Sequence, residues 1–447
     1  MRAVDVAALK GTVRAAIEAR ADDLVEVSAD LAAHPETGFR EEYGAGAVGR
    51  WFDSLGLPHE CGLARTGVKA RMTGALKGPT VAVLGELDAL YLPSHRDADP
   101  ETGAAHACGH HAQVAAMLGA GIGLAAVRDA LDGDVVLFAV PAEETVQLDW
   151  RQRLVADGEL RHTVGKAELV SRGHFDDVDL AMMCHTGADD GHRFTTGDTL
   201  NGAVTISAVF VGRSSHAGAA PWDGVNALKS ATLALAAIDA QRDTFRDEDA
   251  VRVSSVITHG GDAPTAVPAR AEVQTVVRAR THRALSDACA TVRRALRAGA
   301  VALGTTVRIE SRAGYLPLEQ DVALVDLARR NATHLYGAGA VGNGWHRSAS
   351  TDMGDLGAVM PVLHPFTSGA KGTPHSDDYR VVDHRAAAVD PAVLLAWCVV
   401  DLLTNGAALA RQVLTDRGDR LSTQDFDALR FSLDASELHD ETSKETP

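Results

Sequence analysis

The sequence predicts an α/β protein with a second, α+β domain inserted into it, and three observations carry that prediction. Two apolar, β-branched runs, TVAVLGELDAL at 80–90 and DVVLFAVPAEE at 134–144, each run into acidic residues. Buried parallel strands do this where their carboxyl ends open on a site. The stretch between them, 107–131, is rich in small residues and reads as a helix, so strand, helix and strand form a βαβ unit. From about 200 to 314 the texture changes to alternating strands and amphipathic helices, after which the first texture returns.

Residues 5–33 place apolar side chains at helical spacing and read as an amphipathic helix leading into the turn HPETGF at 34–39. A second helix covers 42–55, and DLAMMCHTG at 179–187 reads as a third strand ending in a histidine. In the inserted segment AVTISAVFVG alternates as a half-exposed strand does, and NALKSATLALAAIDAQR is an amphipathic helix. VRVSSVITHGG and AEVQTVVRAR are further strands, followed by a helix at 282–302 and a strand near 306–311. That order suits a four-stranded antiparallel sheet with helices on one face. Helices at 321–335 and 389–411 then flank a Gly-rich stretch. One domain therefore comprises 1–199 and 315–447, with a mixed, largely parallel sheet, and 200–314 is the insertion. The last twenty or so residues, ending HDETSKETP, read as a frayed polar tail.

A chain of 447 residues, 46% of them hydrophobic, is long enough to bury real cores, which excludes a disordered or collagen-like protein. Its 60 acidic and 43 basic residues leave a formal charge of −17, which argues against a nucleic-acid partner. Five scattered cysteines without a CxxC pair suggest neither a disulfide framework nor a zinc knuckle, and point to a reducing compartment. The amino terminus has no continuous apolar region of the secretory kind, so a cytoplasmic location is expected. The longest apolar run, 115–127, is too short and Gly-rich to span a bilayer, so no membrane partner is expected. GAGAVG at 44–49 satisfies GxGxxG, but no strand precedes it and its flanks are helical, so it is not a dinucleotide fingerprint.

The chemistry lies in potential metal ligands placed at strand ends and turns. Cys108 and His110 stand in AHACGHH, where Gly109 lets the backbone bend so that thiolate and imidazole approach one centre. Glu143 and Glu144 follow Pro141; adjacent residues leaving a strand point to opposite sides, so one carboxylate would bind metal while the other faces substrate. His185 ends the next strand and His375 sits in GTPHSDD. Sulfur, nitrogen and oxygen donors together suit zinc or another borderline first-row ion better than magnesium or calcium. Two such ions sharing these ligands would activate a water and polarise a carbonyl, with the unbound glutamate moving the proton. Singly, each signal is ordinary: a histidine near a strand end is usually structural, and a lone cysteine is a small buried hydrophobe. Their coincidence in order along the chain sets them apart.

GELDAL, HACGH, PAEE, STDMGD and GTPHS, together with HPETGF and SSHAGAAPWDGVNAL at 214–228, resemble the M20 metallopeptidase and amidohydrolase family in its Cys-containing branch. That branch includes hydrolases of aminobenzoyl-glutamate and of indole-acetyl amino acids, and PWDGVNAL leans toward its dipeptidase-like members. The resemblance runs from about residue 20 to 410. It implies that Cys108, His110, Glu144, His185 and His375 bind two divalent metal ions, zinc or alternatively manganese or cobalt. It makes Glu143 the general base and Asp88 a carboxylate that orients a ligand. It implies that 200–314 is a lid that also forms a homodimer, with His216 reaching the partner's site to steady an oxyanion. Arg278 would hold the substrate's carboxylate through its bidentate fork. The activity implied is hydrolysis of the amide bond of an N-acyl amino acid or dipeptide. Two positions depart from the family pattern: His111 stands where relatives often have Asp, and Thr265, which would lie beside the substrate's carboxylate, replaces a frequent Asn. Two other functions fit parts of the sequence, a cysteine-nucleophile hydrolase using Cys108 and a catalytically silent component of a hetero-oligomeric hydrolase.

Overall fold

The amino-terminal segment forms two helices where the apolar period suggests one. In this computed structural model, which describes residues 5–188, 191–417 and 421–440, Asp5 caps α1 (Val6–Glu18) by accepting from the Ala8 amide at 3.1 Å. Non-helical backbone at Arg20 then starts α2 (Ala21–Ala33). The break lets both helices lay apolar side chains on one partner, α4 (His110–Ala125). A Cβ on its Gly119 would lie 2.7 Å from Leu24, and one on Gly123 would lie 2.8 Å from Val13 and Ile17. Between these helices in sequence come α3 (Glu42–Ser54), which contains GAGAVG, the strands β1 (His59–Leu63) and β2 (Gly67–Met72), and β3 (Thr80–Glu86).

After α4 follow β4 (Asp134–Val140), α5 (Leu148–Ala156), α6 (Gly165–Ser171), β5 (Leu180–Met182) and β6 (His185–Ala188). β3 is buried throughout and pairs in parallel with both β4 and β5, which makes β3, α4 and β4 the expected βαβ unit. The β1–β2 hairpin, which no strong apolar alternation announces, adds antiparallel to β4.

The inserted segment supplies β7 (Gly202–Val211), α7 (Ala227–Asp239), β8 (Arg252–His259), β9 (Arg270–Ala279), α8 (His282–Leu303) and β10 (Thr306–Tyr315). The chain then forms α9 (Val322–Tyr336), β11 (Val362–Leu363), β12 (Phe366–Lys371) and α10 (Asp390–Leu403), and later β13 (Ala435–His439). β11 completes a six-stranded mixed sheet in the order β1-β2-β4-β3-β5-β11. The single strand expected at 179–187 is split, because β5 joins this sheet while β6 pairs with β12 in another.

Two compact units result. One comprises Met1–Thr199, Glu319–His346 and Asp355–Thr423; the other comprises Leu200–Leu318, Arg347–Gly354 and Gln424–Pro447. The smaller unit contains the expected α+β insertion, with the antiparallel order β8-β9-β7-β10 and a fifth strand, β13, on the β10 edge. That strand lies where the sequence suggests a frayed tail. Polar residues on an edge strand carry no apolar period to announce it, and Glu437 is held by Arg293 and Arg297 of α8. Residues 441–447 of the expected tail lie outside the described residues.

One helical stretch, Arg385–Leu403, is long and apolar enough to cross a membrane, with mean hydropathy 1.9. At 19 residues it is longer than 115–127, which the sequence presents as the longest apolar run. Its apolar window is 94% buried inside the protein, as expected of a core helix.

Gly85 fixes how closely β3 lies on α4, since a Cβ there would stand 2.8 Å from the Val114 backbone. Gly85→Ala should therefore destabilise the protein by about 1–3 kcal/mol through overpacking. Denaturant titration checks this, and an unchanged midpoint would contradict the contact.

Candidate metal and catalytic site

The site residues of the larger unit come from the ends of β3 and β4, the start of α4, the start of β6 and the loop after β12. Gly109, at φ 90°, begins α4 in the left-handed region, and a Cβ there would stand 2.7 Å from the Tyr379 hydroxyl. This tight turn brings Cys108 and His110 to one place, as the sequence suggests. The donor atoms of Cys108, His110 and His185 lie within 4.8 Å of one another, as do those of Cys108, Glu144 and His375 and those of His110, Glu143 and Glu144. The three trios share members in pairs, so they form one continuous cluster. All five expected ligands and Glu143 belong to it.

The expectation that Glu143 and Glu144 point to opposite sides is not met. Both carboxylates converge with His110. The residues after Val140 have left the strand, and Ala142 at φ 54° turns the chain into the left-handed region, which breaks the two-residue alternation.

Asp88 occupies an orienting position. Its Oδ2 accepts from the Glu144 amide at 2.8 Å, while its main-chain oxygen and Oδ1 stand 2.9 and 3.2 Å from His110 Nδ1. A proton on Nδ1 is thereby satisfied and the Nε2 lone pair is left to a ligand. His185 is arranged alike: Nδ1 faces the Thr186 carbonyl at 2.9 Å and Nε2 faces Cys108 Sγ at 3.4 Å. His375, itself left-handed at φ 66°, places Nε2 3.2 Å from Glu144 Oε1.

Two members of the site escape the sequence reading. Glu86, two residues before Asp88 in GELDAL, and Lys166 at the start of α6 are both fully buried and pair at 2.5 Å. The other carboxylate oxygen of Glu86 stands 3.1 Å from His110 Nε2. The acidic strand end is the available signal for Glu86; no motif marks Lys166.

Electrostatics favour a cation here. Burial alone would raise the Cys108 thiol, but the imidazoles of His185 and His110 outweigh it and hold its pKa well below the ordinary value. Burial would likewise raise Glu86, yet Lys166 and His110 keep it low. Burial disfavours a charged His110, and Glu86 and Cys108 overcome that to raise its pKa. Glu144 is raised, first by burial and then by Cys108. The electron-rich atoms Glu86 Oε2, His110 Nε2 and Glu144 Oε1 are buried with no well-aligned hydrogen bond, Glu86 lying against His110 and Glu144 against His375. Such atoms are costly to bury unless something positive sits among them. The residues therefore fit a divalent-metal centre, with Glu86 as an oxygen donor beyond those expected.

The remaining expected residues lie in the smaller unit. His216 forms an isolated bridge with Ala266, and its Nδ1 accepts from the amides of Gly218 and Ala219 at 3.2 and 3.0 Å. The Thr265 carbonyl accepts from the Ala217 amide at 2.9 Å, so His216 and Thr265 lie on two paired segments. Arg278 is on β9, in register with Ala203 of β7 and Arg252 of β8.

Comparisons with known proteins show what the chain is similar to. Residues 199–303 match the peptidase dimerisation domain of the M20 proteins. An Xaa-Arg dipeptidase of Mus musculus is 28% identical over 91% of this chain and 92% of its own length. An indole-3-acetyl-aspartic acid hydrolase of Enterobacter agglomerans is 30% identical over 48% of this chain and 48% of its own. Among solved structures, a dinuclear metal-binding M20 peptidase of Bacillus subtilis shares the fold at TM-score 0.68 and 19% identity, covering 86% of this chain and 99% of that one. The chain thus shares the fold of M20 metallohydrolases and carries clustered residues of catalytic type.

The Glu86–Lys166 pair gives a stability test. Lys166→Met should cost about 3–5 kcal/mol, because it strands a buried carboxylate. Adding Glu86→Gln should recover part of that loss in denaturant titrations. Strictly additive losses would contradict the pairing.

Proposed function

We propose that the protein is a metal-dependent amidohydrolase or peptidase that cleaves the amide bond of an N-acyl amino acid or dipeptide. The observation that carries this reading is the convergence of Cys108, His110, Glu144, His185 and His375 with Glu143 in one cluster, buried except at His375 and partly at His185. The five would hold two divalent ions, one among Cys108, His110 and His185 and one among Cys108, Glu144 and His375, which makes Cys108 common to both. Thiolate and imidazole donors favour zinc, with manganese or cobalt as alternatives. Bound there, the ions would polarise the substrate carbonyl and lower the pKa of the attacking water.

Glu143 takes the proton from that water and returns it to the departing nitrogen, so it acts first as base and then as acid. Asp88 holds His110 by Nδ1 and Glu144 by its amide, fixing both ligands. The smaller unit is a lid through which a homodimer forms, and the partner subunit's His216 steadies the oxyanion of the tetrahedral intermediate. Arg278 and Thr265 receive the substrate's carboxylate. Dipeptides are favoured as substrates by the long match to the Xaa-Arg dipeptidase. A cytoplasmic site of action agrees with five free cysteines.

A cysteine-nucleophile mechanism would need one histidine as base for Cys108. Here the sulfur is ringed by His110, His185, Glu144 and His375, an arrangement for ligation.

Glu143→Ala should retain metal and lose about 10²- to 10⁴-fold in kcat. Metal analysis and a hydrolysis screen over acyl-amino acids and dipeptides check this. An active variant overturns the base assignment. Full activity after chelator treatment overturns the metal reading.

A further inference from the structure

The turn that aims Glu143 and Glu144 is enclosed by two buried ionisable side chains that the proposed mechanism does not use. Arg151 of α5 is wholly buried, and among the described residues it has no carboxylate partner. Its Nη1 donates to the Thr163 carbonyl at 2.9 Å and the guanidinium lies 5.3 Å from the Phe39 ring centroid, while Nε and Nη2 have no hydrogen-bond partner. The Nη2 edge presses on Gly38, where a Cβ would stand 2.3 Å from Nη2 and 2.7 Å from the Ala142 Cα. Gly38 is therefore a thin wall between the arginine and the residue before Glu143. From another side, Glu41, also fully buried, accepts from the Ala142 amide at 2.8 Å and from the Thr66 hydroxyl. The Ala142 carbonyl accepts from the Gly165 amide at 3.0 Å.

Three non-glycine residues in this shell, Phe39, Ala142 and Gln147, have φ of 65°, 54° and 53°. Such conformations cost energy and persist only where the surroundings over-determine them. A buried guanidinium with two unmade hydrogen bonds is a further cost. Both costs are carried by the shell around Ala142, whose turn makes the adjacent glutamates converge.

We infer that Arg151 and Glu41 are positioning residues that hold Ala142 in its left-handed conformation and so set the directions of the Glu143 and Glu144 carboxylates. This rests on the assignment of Glu143 as base and Glu144 as ligand. Misplacing a catalytic group by about 1 Å costs about 100-fold in rate. Loss of the clamp should therefore lower kcat far more than it raises KM.

The test uses the full-length metal-loaded protein. Arg151→Met should lower kcat by about 10- to 100-fold with KM within about twofold, and weaken metal retention in a competing chelator. Adding Ala142→Gly should restore at least part of both, because glycine adopts the left-handed region without being forced there; a loss of packing alone would not be rescued. Should Arg151→Met fail to fold, Arg151→Gln, which removes the charge and keeps a polar side chain, serves in its place with the same expected loss and rescue. Unchanged kcat and metal retention in the folded variant, or no rescue by Ala142→Gly, would overturn the inference. Glu143→Ala run alongside separates the two levels: if it is inactive while Arg151→Met is unimpaired, only the clamp fails. If Glu143→Ala is active, the base assignment fails, and the metal-retention rescue then decides the clamp alone.

Discussion

The site depends on burying several electron-rich atoms together at the ends of neighbouring strands. Glu86, Glu144, Cys108 and two imidazoles meet where water is scarce, and Lys166 is the buried ammonium placed among them. In low dielectric such a gathering repels itself unless cations join it. The second layer makes sense on the same ground. Asp88 and the Thr186 carbonyl occupy the Nδ1 side of two imidazoles and turn their Nε2 atoms inward.

Backbone rather than side chain accomplishes most of the convergence. Gly109 allows the chain to double back between Cys108 and His110, and Gly85 allows β3 to lie against α4 so that Glu86 reaches His110. Ala142 turns two successive glutamates toward one side. The ligands are thus far apart in sequence yet fixed by rigid elements, which suits a centre whose geometry must not relax when charge develops.

Much of this was legible in the sequence because strongly apolar strands ending in carboxylates have few other readings. The βαβ unit, the α+β insertion and the set Cys108, His110, Glu143, Glu144, His185 and His375 emerged from pattern and order. What stayed hidden lacks a local signal. Alanine announces no left-handed turn, so Ala142 gave no hint that alternation would fail at the glutamate pair. α5 and β13 are polar and short, and their places are set by contacts such as those of Arg151 with Thr163 and Glu437 with α8. Lys166 carries no motif, and its role exists only because folding brings Glu86 to it. The break between α1 and α2 was invisible because the apolar period continues across it; the packing on Gly119 and Gly123 decides it.

The most direct test of the account is anomalous diffraction at the zinc edge from crystals of the zinc-loaded protein. It should show two peaks, one among Cys108, His110 and His185 and one among Cys108, Glu144 and His375, with Glu143 beside them and free of direct ligation. Peaks elsewhere, or none at these residues at saturating zinc, would contradict the claim that these side chains converge to hold cations.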